Sequence, residues 1–364
     1  MPKKGNSKQP MDLQQRINAF ASLGRFLGQL AQPDDSFGSI EANPDTIAGR
    51  MATQLQLAKN SNGWFTQDNL QFALTSWSQA LTKENLNRWV EQYTINEPTN
   101  PKTVAIVMAG NIPLVGFHDF LSVLIIGHKV LAKLSSQDRH LLPIIAQFLR
   151  NELPHWEGYI HFSDGKLENF DAVIATGSNN TARYFEYYFG KYPNIIRRNR
   201  NSVAVLTGNE TEAELTLLAD DIFRYFGLGC RNVSKLFLPK GYRFEPFFEA
   251  MYSWKEIINN HKYINNYDYN KAVYLMSNIS LLDNEFLLLK EDPGYASPIS
   301  VLFYEYYDTI SDLESTLSER SEAIQVVISN ANLENAVAFG KAQQPQLWDY
   351  ADRVDTIEFL LKLS

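Results

Sequence analysis

The sequence predicts an α/β protein: a lobe built on a parallel sheet, followed by a second α/β lobe. Three observations predict it. From Thr103 on, short apolar runs alternate with stretches of helical spacing. Three of those runs end in glycine or polar residues, at the strand ends where ligands reach a parallel sheet. Farther on, the only cysteine, Cys230, stands on a glycine-bordered turn between a helical pattern and another apolar run.

In order along the chain, residues 1–10 are expected to be disordered. Residues 11–93 read as helical, with Ile17, Phe20, Leu23 and Leu27, and more loosely Leu70, Phe72, Leu74, Trp77 and Leu81, at helical spacing. Asn43-Pro44 and Asn62-Gly63 punctuate them, and Trp64, Trp77 and Trp89 read as core. Residues 96–101, with Pro98 and Pro101, turn the chain into the next part. Runs at 104–108, 129–134, 159–162, 172–176 and 203–206 are the expected strands, and 117–126, 140–149 and 182–189 the helices between them. Gly110-Asn111, Lys133 to Ser136 and Gly177-Ser178 close three of these strands, and a dinucleotide is expected there.

Leu215, Leu218, Ile222 and Phe226 continue as a helix that Gly227 and Gly229 break, before the run Leu236-Phe237-Leu238. A helix at 247–258, a polar aromatic segment at 265–270, strands at 297–304 and 323–328, a helix at 334–340 and a short apolar piece at 357–361 complete the reading. The first lobe is expected over 11–206 and the second over 207–340. The tail 341–364 is expected to return to the first lobe or to serve oligomerisation.

Composition narrows the function. Residues are 45% hydrophobic and 20% charged, a globular balance, and the formal charge of −8 gives no nucleic-acid surface. One cysteine excludes an internal disulfide and a cysteine-built zinc site, and the six scattered histidines give no ligand spacing, so no metal is expected. No GxGxxG follows the first strand, and neither GxxxxGK[ST] nor GxSxG occurs; Gly227-Leu228-Gly229 follows a helix and lacks a third glycine. The basic N-terminus lacks the apolar core of a signal peptide, and the longest apolar run, 120–126, is too short to span a membrane. A reducing cytoplasm is the expected setting. A thiol at Cys230 can meet an electrophile, and flanking glycines allow close backbone approach. A buried structural cysteine is the alternative for a lone thiol.

The ordered set of segments resembles the aldehyde dehydrogenase superfamily and, within it, the luminescence-type (LuxC-type) fatty acyl-CoA reductases. Ala109-Gly110-Asn111-Ile112-Pro113-Leu114 is similar to the family's asparagine-aromatic-proline segment, and residues 127–136 to its glycine-to-lysine strand. Thr176-Gly177-Ser178 is similar to its glycine-serine turn, residues 227–235 to its nucleophile loop, and Ser297-Pro298-Ile299-Ser300-Val301 to a later strand start. The resemblance covers 103 to the end of the chain and implies an aldehyde-dehydrogenase-like fold. It implies that Cys230 is the nucleophile and that the Asn111 amide, with the Cys230 N–H, stabilises the oxyanion. Ile112, Pro113, Lys133, Ser135, Ser136, Gly177 and Ser178 would bind the dinucleotide, Lys133 at the adenosine ribose and Gly177-Ser178 at the pyrophosphate. The structural alternatives are a turn at Asn111, a solvated Lys133 and a helix cap at Gly177-Ser178.

Oxidising members open the segment before the nucleophile with a glutamate that activates water. Here Arg197-Arg198-Asn199-Arg200-Asn201-Ser202 has no carboxylate. The departure favours reduction of an acyl-CoA over release of a free acid, with the arginines as candidate contacts for CoA phosphates. Glu291, the nearest match to the family's nicotinamide-ribose glutamate, is displaced. NAD-preferring relatives carry a glutamate three residues after the strand-end lysine. Ser136 stands there in this chain, which points to NADPH, while Ser135-Ser136 capping the next helix is a compatible alternative. The resemblance further implies a long-chain acyl-CoA substrate, a homo-oligomer and an associated acyl-activating enzyme. The aromatic segment 265–270 would line an acyl pocket or serve packing. An aldehyde dehydrogenase releasing free acid, or a dinucleotide-binding scaffold without catalysis, are the other readings.

Overall fold

The computed structural model describes residues 11–31 and 43–363, so the expectation for residues 1–10 lies outside it. The chain forms two compact units. The first comprises residues up to Asn62, Leu70–Arg197 and Val354 onward; the second comprises Gly63–Asn69 and Arg198–Arg353.

In the first unit, helices α1 (Leu13–Leu30), α2 (Ile47–Ser61), α3 (Gln67–Ala80, from Leu70 on) and α4 (Lys83–Val90) precede the sheet. Their starts are written locally. Asp12 and Gln15 form a reciprocal capping box on α1, and Thr46 and Thr82 cap α2 and α4. The strands are β1 (Thr103–Val107), β2 (Lys129–Lys133), β3 (Ile160–Phe162), β4 (Ala172–Thr176) and β5 (Asn194–Arg197). Helices α5 (Phe117–Ile125), α6 (Leu141–Glu152) and α7 (Asn179–Phe189) lie between them in sequence. All pairings are parallel, in the order β3-β2-β1-β4-β5. Central strands of such a sheet are covered on both faces, which is why Val104, Ala105, Ile106 and Ala172 to Ala175 are continuously apolar and buried.

Two buried arginines brace this unit. Arg16 donates to both carboxylate oxygens of Glu97 (2.7 and 3.0 Å) and to the carbonyls of Met11 and Ile125. Arg197, the last residue of β5, makes a two-pronged ion pair with Asp119 of α5 and donates to Thr356 Oγ1 at 3.1 Å. Thr356 opens the last helix, α12 (Thr356–Leu361), which His128 also holds through a hydrogen bond to the Leu360 carbonyl. The Lys102 N–H donates to His128 Nδ1, so the ring proton sits on Nε2, and burial keeps this imidazole below its ordinary pKa. Arg197 is therefore spent inside the fold and is not a phosphate contact.

The second unit carries β6 (Asn201–Val205), α8 (Glu212–Phe223), β7 (Val233–Pro239), α9 (Phe244–Met251), α10 (His261–Met276), β8 (Leu282–Asp283), β9 (Leu288–Glu291), β10 (Val301–Tyr307), α11 (Ile310–Glu319) and β11 (Ile324–Ile328). The sheet order is β11-β6-β7-β10-β9-β8, parallel except for the β8–β9 pair. Its core gathers Leu215, Leu218, Ile222, Leu236, Leu238, Phe247 and Leu302.

Several local expectations change. The strand read at 203–206 was expected in the first sheet, but β6 pairs with β7 and β11 of the second. Residues 265–270 are helical, because Asn260 caps α10 by accepting from the N–H groups of Lys262 and Tyr263. Residues 334–340 are not helical. Val337 exchanges backbone hydrogen bonds with Val327 and Ser329, and Asn335 has a φ of 58°. Residues 297–300 precede β10 as a loop, with Ser300 at φ 64°.

Removing one partner of a buried ion pair leaves an uncompensated charge. Asp119→Ala should therefore cost about 3–5 kcal/mol in urea unfolding, and pairing it with Arg197→Met should recover much of that loss.

Candidate active site

Cys230 is exposed, three residues before the start of β7. The turn that carries it is forced into an uncommon backbone. After α8 the chain makes one tight turn, and Tyr225, Phe226 and Gly227 all lie at positive φ (55°, 59° and 74°). Gly227 takes this conformation at no steric cost, whereas each of the two aromatic residues is strained by roughly 1 kcal/mol or more.

Neighbours hold the strain in place. The Tyr225 N–H donates to Asn69 Oδ1 at 3.3 Å, and the Phe226 ring packs on Trp64 and Tyr263. Arg224 pairs with Asp220 and lies over the Trp254 ring. The buried Asn232 carboxamide then ties the ends of the turn. Its Nδ2 donates to the carbonyls of Asp221 (3.0 Å) and Arg224 (2.8 Å), and its Oδ1 accepts from the Gly229 N–H at 2.8 Å. Ser202 of β6 donates to the Cys230 carbonyl at 2.8 Å. The thiol is thus presented to solvent from a loop with a fixed backbone, and it is not the buried structural cysteine that was the alternative.

Asp221, fully buried on α8, accepts from the N–H groups of Gly340 (2.6 Å) and Ala342 (3.0 Å). Burial pushes its carboxyl up to about 7 against those hydrogen bonds. Arg231 donates from Nε to the Ala342 carbonyl at 2.5 Å. Neither residue was singled out from the sequence. A charged residue directly after the lone cysteine was the available signal.

The cofactor candidates all lie in the first unit, at the carboxyl edge of the parallel sheet. Val107 of β1 is in register with Lys133 of β2 and Ala175 of β4, so the three segments leave the sheet side by side. Strand order reverses about β1, and a crevice of this kind is where parallel sheets take nucleotides. Asn111 is exposed, Ile112 half-buried and Pro113 buried, and Leu114 lies at φ 58°. Gly110 has no room for a side chain, since a Cβ would come within 2.7 Å of Ser135. Ser135 Oγ accepts from the Gln137 N–H, a turn cap, and Ser136 is exposed. Lys133 Nζ donates to the Gly165 carbonyl at 2.9 Å. Ser178 caps α7 by accepting from the Thr181 N–H, with Gly177 just before it. Asn111 and the seven cofactor candidates belong to the first unit, and Cys230 to the second.

Asp138, also missed from the sequence, holds the Asn111 loop. Its Oδ2 accepts from the Leu114 N–H at 2.7 Å, while its Oδ1 is buried without a partner among the described residues. Burial pushes this carboxyl up to about 6. An acid raised in the folded state stabilises the fold below its unfolded pKa, and that contribution is lost as pH rises through about 6. Between pH 7 and pH 5, the unfolding free energy of the wild type should gain on the order of 1 kcal/mol relative to Asp138→Asn, measured by denaturant titration.

Among the described residues, no group of three or more His, Cys, Asp and Glu side chains is placed to hold a metal ion, and no helix is long and apolar enough to cross a membrane. No protein-family model matches the chain, and no curated protein matches it significantly. Solved structures do match. Aldehyde dehydrogenase 21 from Physcomitrella patens, in complex with the reaction product succinate, superposes with a TM-score of 0.66 at 10% identity, covering 97% of this chain and 84% of that one. An oxidoreductase from Marinobacter aquaeolei gives 0.65 at 11% identity, over 93% and 80%. An aldehyde dehydrogenase from Mycobacterium tuberculosis, complexed with NAD+, gives 0.60 at 13% identity, over 89% and 74%. At such identities the likeness is one of architecture: the chain has the aldehyde dehydrogenase fold.

Proposed function

We propose that the protein reduces an acyl-CoA thioester to an aldehyde, with NADPH as reductant and an acyl-cysteine intermediate on Cys230. One observation supports this most directly. A single exposed thiol stands on a rigid turn in an aldehyde dehydrogenase fold, while residues 197–202, ahead of it in the chain, offer no carboxylate to activate water. Of the cations in that segment, Arg197 is paired with Asp119 and Arg200 with Asp352.

In this reading the Cys230 thiolate attacks the thioester carbonyl, and the tetrahedral oxyanion collapses with loss of the CoA thiolate, which takes up a proton. The Cys230 N–H and the Asn111 amide are assigned as oxyanion donors. The nicotinamide cofactor, when bound, supplies hydride to the acyl carbon. Collapse of the second tetrahedral adduct breaks the C–S bond, releases the aldehyde and regenerates the thiolate. The first unit fits a dinucleotide through its side-by-side strand exits and the capped start of α7. Ile112, Pro113, Lys133, Ser135, Ser136, Gly177 and Ser178 would hold it, with Lys133 and the neutral Ser136 accommodating a 2′-phosphate. A long-chain acyl group, a homo-oligomer and an acyl-activating partner enzyme belong to the same reading.

Incubation with acyl-CoA should give a stoichiometric acyl adduct on Cys230 by mass spectrometry, and NADPH should convert it to aldehyde. Cys230→Ala should lose adduct and aldehyde yet still bind NADPH. Oxidation of aldehyde to free acid without CoA would favour the dehydrogenase reading instead. Ser136→Glu should lower kcat/KM for NADPH by roughly tenfold more than for NADH, from like-charge repulsion of the 2′-phosphate. An equal loss for both cofactors would remove Ser136 from the phosphate site.

A further inference from the structure

The turn that carries the nucleophile closes with a bond from the Asn232 N–H to the Gly229 carbonyl at 3.0 Å, which makes Cys230 and Arg231 its two central residues. Neither of them lies at positive φ, so the turn is of type I; a type II turn needs a positive φ at its third residue. Type I backbone is helix-like: the N–H groups of the central residues leave on one side and their carbonyls on the other. Peptide planarity then couples two groups. Whatever direction the Cys230 carbonyl takes, the Arg231 N–H, on the same peptide, takes the opposite one.

That carbonyl is fixed. It accepts from Ser202 Oγ at 2.8 Å, and Ser202 is fully buried in β6. The carbonyl end of the peptide is thus turned into the fold and its N–H end away from it. Arg231 is anchored from its side chain as well, since Nε bonds the Ala342 carbonyl and Asp221 grips the same segment through the N–H groups of Gly340 and Ala342. The Arg231 N–H itself donates to no group among the described residues. A backbone donor is rarely left so unless water or a ligand takes it. On the residue after a nucleophile, such a donor lies within reach of the oxygen of a carbonyl attached to that nucleophile, and hydrolases of other folds build oxyanion holes this way.

We propose that the Arg231 N–H is a second backbone donor to the oxyanion formed on Cys230, and that Ser202 is the positioning residue that aims it. The inference deepens the reading of Cys230 as a nucleophile and rests on it. It requires neither a CoA thioester nor a nicotinamide cofactor.

The test compares two reactions of one thiolate on the full chain, both read on the alkaline plateau, above the ordinary thiol pKa of about 8.5, where ionisation limits neither. In acylation by p-nitrophenyl acetate a C–S bond forms and the carbonyl oxygen takes the charge; collapse then breaks the ester C–O bond and releases nitrophenolate. Alkylation by iodoacetamide forms a C–S bond with loss of iodide and builds no oxyanion. Ser202→Ala should slow acylation about tenfold or more, within the roughly 10²–10³ that a whole oxyanion donor is worth elsewhere, and leave alkylation within about twofold. Ser202→Thr keeps the hydroxyl and should keep the wild-type ratio of the two rates. Ser329→Ala is the matched structural control. Ser329 is also buried and donates to the Val205 carbonyl at 2.8 Å, at the far end of β6, and its loss should leave the ratio unchanged.

An unchanged ratio in a folded Ser202→Ala variant would overturn the proposal. So would an equal loss of both reactions, a threonine variant whose ratio falls as far as the alanine one, a Ser329→Ala variant that lowers the ratio as much, or a wild type that iodoacetamide alkylates and the ester leaves untouched. If the ratio shifts as expected but acyl-CoA leaves no adduct, the acyl-CoA reading fails and the role of Ser202 stands. If acyl-CoA gives the adduct and the ratio does not shift, the reading stands and the role of Ser202 falls.

Discussion

The turn that carries Cys230 depends on one carboxamide. Asn232 uses both ends of its side chain to close the turn on itself, binding the carbonyls of Asp221 and Arg224 and the N–H of Gly229, all of which precede Cys230. Without those bonds, Tyr225 and Phe226 would relax out of the left-handed region, where nothing intrinsic to their side chains keeps them. An aspartate could accept from Gly229 but could not donate to the carbonyls of Asp221 and Arg224, so the role calls for an amide. The strain at Tyr225 and Phe226 and the exposure of the thiol share this cause: the turn has no freedom to fold the cysteine inward.

The first unit solves a different problem with the same economy. Five parallel strands put every carboxyl end on one edge, and the reversal of order about β1 opens that edge between β1 and its neighbours. Gly110 lets the β1 exit lie directly on Ser135, and Asp138 fixes the next turn through the Leu114 N–H. Two loops that start from different strands thereby become a single surface. The expense is a buried carboxyl with one oxygen unpartnered, a kind of local cost that proteins more often carry at binding sites than elsewhere.

What could be read from the sequence follows from how local each signal is. The strands β1, β2 and β4 and the turn at Cys230 were legible because apolar runs and glycines lie within a few residues of one another. The strand β5 was not, since Ile195 and Ile196 alone make too short a run between Pro193 and Arg197. The strands β8, of two residues, and β9, of four, are no longer. The destination of Arg197 was illegible for another reason: its partners lie 78 and 159 residues away. Asp119 gave half the warning, as the one carboxylate in a largely apolar helix, a buried charge that had to find a cation. Segment 265–270 misled because alternating polar and aromatic residues mask a helix that Asn260 starts. Asp138 and Asp221 have ordinary sequence contexts, and only burial gives them their chemistry.

The return of residues from Val354 onward to the first unit bears on how the protein is made. During synthesis, the five strands of the first sheet leave the ribosome well before the 156 residues of Arg198–Arg353 have followed. Until α12 arrives, the Arg197–Asp119 pair lacks its Thr356 hydroxyl, His128 lacks the Leu360 carbonyl, and Tyr93 lacks its bond to Asp355. The nascent first unit therefore waits with an apolar seat exposed for Ile357 and Leu360, both buried in the finished fold. Loss of residues 355–361 would leave all three bonds unmade and that seat uncovered.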